Sequence, residues 1–250
     1  MKWNALVRAA GIARSAVMYY GQPWRERRRR AFYGQFMSAG SLCFDVGAHL
    51  GDRVRTWRHL GARVIAIEPQ PACLAVLRRL YGADSSVTLL PTALGPAPGK
   101  ATLHISEATP TVSTLSSEWI REVQRDSRFH SVKWNAELEV PVTTLDVLIA
   151  THGEPAFVKI DVEGFELDVL QGLTRPVPAL SFEYLGVVSS RAAACVERLG
   201  QLGNYEFRTS SVETTRWTQD HWLGPADVCA WLRALPVLAR SGDVYARLRA

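Results

Sequence analysis

From residue 42 onward, short apolar runs alternate with stretches whose apolar positions recur every three or four residues. The runs read as strands at 42–46, 63–68, 87–93, 100–105, 156–161, 179–185, 205–210 and 243–248, with a shorter one at 139–142. The stretches between them read as helices at 51–60, 165–172 and 190–202, at 71–81 with Pro71 opening the first turn, and at 144–150 before Gly153. Strands alternating with helices of this length predict a mostly parallel sheet covered on both faces. A ligand then lies beyond the C-terminal ends of the strands. Before residue 40 the pattern is purely helical. Leu6, Ala10, Ala13 and Val17 stand at helical spacing, and Gly21, Gln22 and Pro23 split residues 3–37 into two helices. The chain therefore divides into a helical extension, 1–39, and one α/β domain, 40–250. The least regular part is 107–137, rich in Ser and Thr over 109–117 and then polar and helical.

Composition narrows the class without naming it. Hydrophobic content of 47% and charged content of 21% suit a soluble globular protein of 250 residues. No run of about 18 apolar residues predicts a membrane span, and Arg14 interrupts the apolar stretch that a cleaved signal would need. Cys43, Cys73, Cys195 and Cys229 show no paired spacing, so buried free thiols are expected rather than a disulfide or zinc framework. A reducing, cytoplasmic setting is the matching expectation. The net charge of +5 is concentrated in Arg25, Arg27, Arg28, Arg29 and Arg30. Such a run could touch nucleic acid, an anionic membrane surface or a phosphorylated substrate, but is more often one solvated face of a surface helix. No aromatic–basic stacking pattern accompanies it, so no nucleic-acid partner is expected.

Two constellations carry candidate chemistry. Residues 42–51 read Leu-Cys-Phe-Asp-Val-Gly-Ala-His-Leu-Gly, a strand running into an acid and a glycine turn, and the next strand ends on Glu68 and Pro69. A turn of this kind brings backbone N–H groups close to a ligand, and an acid at the next strand end can take two ribose hydroxyls. Only Ala48, His49 and Leu50 separate Gly47 from Gly51, so the three-glycine dinucleotide fingerprint is missing. Asp45 repels a phosphate but welcomes an ammonium or a sulfonium. S-adenosylmethionine meets those demands; a dinucleotide does not. The second constellation is Phe157-Val-Lys-Ile-Asp-Val-Glu-Gly-Phe-Glu. Strand periodicity puts Lys159, Asp161 and Glu163 on one side, converging at the strand's end. Asp161 and Glu163 are candidates to accept a proton, hold a divalent cation or orient a substrate, with Asp161 the first choice as base or cation ligand and Glu163 and His49 behind it. Glu166 suits the start of the following helix. Glu183 ends another strand and points toward the cleft rim. The hydroxyl-rich 109–115 stretch is either a loop over the cleft or a plain connection.

These motifs, in this order, resemble the FkbM-type methyltransferases. The matching segments are Phe44-Asp-Val-Gly-Ala-His-Leu-Gly, Ile67-Glu-Pro-Gln-Pro, Ala93-Leu-Gly, Val142-Thr-Thr-Leu-Asp, Val158-Lys-Ile-Asp-Val-Glu-Gly-Phe-Glu and Ser241-Gly-Asp-Val-Tyr-Ala-Arg. The resemblance implies a class I Rossmann-like α/β fold with a mostly parallel seven-stranded sheet and S-adenosylmethionine as cofactor. It implies that Asp45, Gly47 and Gly51 hold the methionine portion, Glu68 the ribose, and Ala93 and Leu94 the adenine, with Asp161 and Glu163 beside the transferred methyl. Ala48, His49, Pro69 and Gln70 complete the implied cofactor-binding set. His49 stands where the family commonly carries Asn. The implied activity is O-methylation, by in-line displacement, of a carbohydrate or secondary-metabolite hydroxyl; the acceptor is a small molecule or a glycan. The competing readings are a nucleotide-dependent oxidoreductase and a non-catalytic binding module. A divalent metal is left open.

Overall fold

The computed structural model describes residues 2–21, 24–211 and 214–249. Of the predicted break between the first two helices, Gln22 and Pro23 lie outside the described residues. In chain order the elements are α1 (Lys2–Tyr20), α2 (Trp24–Tyr33), β1 (Leu42–Val46), α3 (Asp52–His59), β2 (Arg63–Ile67), α4 (Pro71–Tyr81) and β3 (Val87–Leu90). Then come β4 (Ala93–Leu94), β5 (Gly99–Ile105), α5 (Ser117–Val123), β6 (Ala136–Thr143), α6 (Leu145–His152), β7 (Phe157–Ile160) and α7 (Glu166–Gln171). The chain closes with β8 (Ala179–Tyr184), α8 (Ser189–Leu202), β9 (Tyr205–Ser211), α9 (Pro225–Arg233) and β10 (Gly242–Leu248).

Seven strands form the main sheet in the order β3-β2-β1-β7-β8-β10-β9. β1, β2, β3, β7 and β8 are parallel, whereas β10 runs antiparallel to both β8 and β9. The order reverses between β1 and β7, and a crevice opens there at the C-terminal ends. Side-chain alternation along the strands builds two cores. Leu42, Phe44, Val46, Val158 and Ile160 face α6, α7, α8 and α9 through Leu148, Val169, Val196 and Val228. Cys43, Val64, Phe157 and Tyr245 face the other way, against Phe32 and Tyr33 of α2, Trp57 of α3 and Leu77 of α4. The second helix of the N-terminal extension thus shares a core with the sheet. All four cysteines are buried and free.

Two expectations needed correction, and one helix is new. The predicted strand 87–93 breaks at Pro91, which has no N–H for a ladder. Its tail becomes β4 of a separate three-stranded sheet, β4-β6-β5. The predicted strand 139–142 is the second half of β6, an eight-residue partner to β5 in an antiparallel hairpin. That pairing closes a long loop, which local patterning does not reveal. Helix α9 was not foreseen. Pro225 opens it, and Val228 and Leu232 bury it on the sheet. In addition, the apolar stripe of α1 faces solvent: Leu6, Ala10, Ala13 and Val17 are all exposed, while Gly11 and Ser15 are buried.

Candidate active site

The crevice holds an open pocket whose space, counted out to solvent, is about 540 Å³. Of the residues singled out from the sequence, Gly47, His49, Glu68, Pro69, Gln70, Ala93, Leu94, Asp161 and Glu163 line it. Asp45, Ala48 and Gly51 do not. Asp45 and Ala48 are buried beneath the turn, and Gly51 caps the start of α3.

The turn after β1 is set by close backbone packing. Gly47 and Ala48 both donate to the carbonyl of Ile67, at 3.0 Å. A Cβ on Gly47 would lie 1.9 Å from the Asp161 carbonyl oxygen, so only glycine lets the loops after β1 and β7 approach. Glu68 closes the β2 end. Its carboxylate accepts from the His49 and Gln70 backbone N–H groups, each at 2.8 Å. Burial nevertheless pushes this carboxyl up to about 7, against those two hydrogen bonds.

Asp45 is 1% exposed, and neither of its carboxylate oxygens has a hydrogen-bond partner among the described residues. Burial raises it to about 7, partly offset by the Arg53 charge. A buried acid without a hydrogen-bond partner under a nucleotide-type turn fits a cationic ligand and opposes a phosphate. The His49 ring is also buried without a partner, held edge-on to Tyr19 at 5.5 Å. Burial lowers it to about 4, so it is neutral near pH 7.

At the β7 end the predicted shared side holds only in part. Lys159 and Asp161 share the Phe157 face, but β7 stops at Ile160. Glu163 sits beyond the strand at a φ of +53°, which swings it into the cavity, while Lys159 is fully buried. Asp161 accepts from Arg53 Nη2 at 2.8 Å and lies 3.7 Å from Lys159 Nζ. Burial pushes its carboxyl up, but the Lys159 and Arg53 charges outweigh that and hold it below the usual range. Glu163 makes no such pair. Burial and the neighbouring Asp161 and Glu166 charges push it well up. Glu183 behaves alike, raised by burial and then by Glu163 and Asp161. Carboxylate oxygens of Asp161, Glu163 and Glu183 lie within 4.8 Å of one another and could hold a cation. Glu166, in the first turn of α7, instead accepts from the N–H groups of Val162 and Gly164 and ties down the loop before the helix.

The hydroxyl-rich segment covers the cleft. Gln70 Nε2 donates to the Pro110 carbonyl at 3.1 Å, Ser113 Oγ donates to Gln70 Oε1, and Thr114 Oγ1 donates to the Glu163 carbonyl at 2.7 Å. Leu103 and Phe165 complete an apolar wall with Ala93 and Leu94. Neither was foreseen. Phe165 was visible only as part of a motif, and Leu103 reaches the cavity through the β5–β6 pairing.

The strand order, the crevice at its reversal and the orphaned acid under a glycine turn define a class I S-adenosylmethionine-dependent methyltransferase. The methyltransferase FkbM domain matches residues 45–188, more than half of the chain, and the chain belongs to that family. The hydride-transfer reading ends there. No curated protein matches the chain. Among solved structures it is similar to the precorrin-6y C5,15-methyltransferase of Geobacter metallireducens, at 12% identity and TM-score 0.48, over 88% of this chain and 86% of that one. It is also similar to a TehB-like SAM-dependent methyltransferase of Corynebacterium glutamicum, at 9% identity and TM-score 0.47, over 92% and 96%.

Proposed function

We propose that the protein methylates a hydroxyl oxygen of a carbohydrate or another polyhydroxylated metabolite, with residues 40–250 carrying the reaction and 1–39 an extension of that domain. The observation that carries this reading is the unpaired Glu163 carboxylate at the β7 end of the cavity. An aliphatic hydroxyl is a poor nucleophile and needs a base, and a carboxylate with raised proton affinity at the cavity wall meets that need.

The residues present fit S-adenosylmethionine, which supplies, when bound, an electrophilic methyl group and its own leaving group. Glu68 takes the ribose hydroxyls, and the Ala93, Leu94, Leu103 and Phe165 wall takes the adenine. Asp45 supplies negative charge beneath the turn formed by Gly47, Ala48 and Gly51, where the methionine portion rests. Pro69 and Gln70 form the rim, and Gln70 ties it to the covering segment. Asp161, held by two cations, is a weak base and a good orienter of an acceptor hydroxyl. Glu163 takes the proton. His49, buried and neutral, contributes its backbone N–H to Glu68 rather than a catalytic ring. The chain's main contribution is alignment of donor and acceptor.

Calorimetric titration with S-adenosylhomocysteine, with NAD as control, tests the cofactor. A screen of hydroxylated acceptors then tests the chemistry. Glu163→Gln is expected to lower turnover by roughly 10²–10⁴-fold, with S-adenosylhomocysteine binding unchanged. Retained turnover in that variant, with loss in Asp161→Asn, would reverse the two roles.

A further inference from the structure

Helix α1 turns its apolar stripe away from the protein. Leu6 is 66% exposed, Val17 72% and Met18 52%, and Ala10 and Ala13 between them are exposed as well. A solvent-facing helix surface ordinarily carries polar side chains. The opposite side is firmly seated. A Cβ on Gly11 would lie 2.7 Å from the Glu107 carbonyl oxygen and 3.0 Å from Pro110 Cδ, so only glycine permits this approach. Arg14 Nη2 donates to the Ala108 carbonyl at 2.7 Å, and Tyr20 Oη donates to the Leu50 carbonyl at 2.7 Å. The close seat of Gly11 against Glu107 and Pro110, on the far face, therefore holds the stripe outward.

Immediately beyond it, α2 sorts its arginines. Arg29 pairs with Asp52 at 3.1 Å and Arg30 lies 3.8 Å from Glu26, both toward the protein. Arg25, Arg27 and Arg28 are exposed, with no ion pair or hydrogen bond among the described residues. Only eight positions separate Val17 from Arg25, so the stripe and the three arginines are neighbours along the chain.

We propose that this N-terminal face docks on an anionic lipid bilayer. Helix α1 lies in the interface with Leu6, Val17 and Met18 among the acyl chains, and Arg25, Arg27 and Arg28 meet the headgroups. No helix among the described residues is long and apolar enough to cross a membrane, so α1 lies on the surface. Nucleic acid would use the arginines but not the apolar stripe. A second copy of this chain, related by a two-fold axis, would press the same face on itself and bring two unpaired arginine sets together. The Gly11 and Arg14 contacts seat α1 on the segment that covers the cofactor cavity, so a docked bilayer lies beside the cavity rim. Resting on the methyl-transfer reading, the acceptor is one presented at that surface.

The test is co-sedimentation of the full chain with vesicles of phosphatidylcholine alone and of phosphatidylcholine with phosphatidylglycerol, at low and physiological salt. Binding is expected only to the anionic vesicles. Changing Arg25, Arg27 and Arg28 together to Gln should weaken it roughly a hundredfold at low salt. A Leu6→Glu, Val17→Glu, Met18→Glu triple variant should lose it. S-adenosylhomocysteine binding by both variants reports that they are folded, and its failure in wild type would sink the methyltransferase reading separately. No binding of wild type to anionic vesicles overturns the proposal. So does binding undiminished by the three glutamates, self-association that these glutamates abolish without vesicle binding, or binding of an oligonucleotide or an acidic protein in place of vesicles.

Discussion

Lys159 Nζ lies 2.6 Å from Asp243 Oδ1 and ties β7 to β10 across the intervening β8, between residues 84 positions apart in the chain. The lysine is fully buried, and Asp243 is also reached by the Tyr245 hydroxyl at 3.3 Å. Burial works against the lysine's charge, but Asp161 and Asp243 outweigh it and raise its pKa. One cation therefore serves both the sheet and the carboxylate at the site. Lys159→Met leaves two buried acids short of their partner and should cost about 3–5 kcal/mol, read from urea unfolding. Combining it with Asp243→Asn should recover part of that loss, because the orphaned charge is gone.

Asp45 links stability to pH. Its carboxyl titrates near 3.8 in the unfolded chain and is pushed up to about 7 by burial in the fold. Below about pH 4 it is protonated in both states and costs nothing. As pH rises through the interval, the unfolded chain ionises while the fold does not, so this group's contribution falls; above about 7 the full penalty stands. Asp45→Asn should therefore gain stability over wild type as pH rises, reaching on the order of 2–4 kcal/mol at pH 8, and should lose S-adenosylhomocysteine binding. Calorimetric scans of both proteins across pH would show it. A difference that stays flat would mean that Asp45 has a counter-charge.

Glu68 should act on the nucleoside alone. Replacing it with Gln removes the charge that would accept the ribose hydroxyls while keeping an acceptor for one backbone N–H. Binding of S-adenosylhomocysteine is expected to weaken roughly 10–100-fold, the value of a hydrogen bond to a charged group. Adenosine should lose the same factor in competition titrations, and equal binding of adenosine to both proteins would place the ribose elsewhere.

Gly47 and Gly99 form a matched pair for backbone crowding. A methyl group on Gly47 meets the Asp161 carbonyl oxygen at 1.9 Å, whereas one on Gly99 meets nothing within 4 Å. Gly47→Ala should cost more than about 2 kcal/mol and abolish cofactor binding, since a loop must move. Gly99→Ala should stay within about 0.5 kcal/mol. Thermal melts with and without S-adenosylhomocysteine distinguish the two.

Much of the cofactor side of the candidate site was legible in the chain. Asp45, Gly47 and Glu68 stand at ends of apolar runs, and a parallel sheet carries such ends to one edge by its periodicity. Pro91 could have warned that residues 87–93 are not one strand, because proline lacks the ladder donor. The β5–β6 pairing, which brings Leu103 to the cavity, closes a loop of some thirty residues, and no local pattern encodes such a closure.

What the sequence determined by itself is which strand ends meet at the crevice: strand alternation and the turn glycines bring Gly47, Glu68 and Asp161 there, though not Leu103. What the tertiary structure alone decided is what those residues are once there. Asp161 and Glu163 are two positions apart and chemically alike. One is clamped by Arg53 from α3 and by the lysine that Asp243 anchors, and the other is thrown free by a left-handed backbone. The outward turn of α1 was hidden for the same reason. Its stripe spacing announces a helix, but the contacts of Gly11 and Arg14 choose which face meets solvent. Proton affinity and exposure depend on charges and surfaces supplied from distant parts of the chain, and these become neighbours only in the fold.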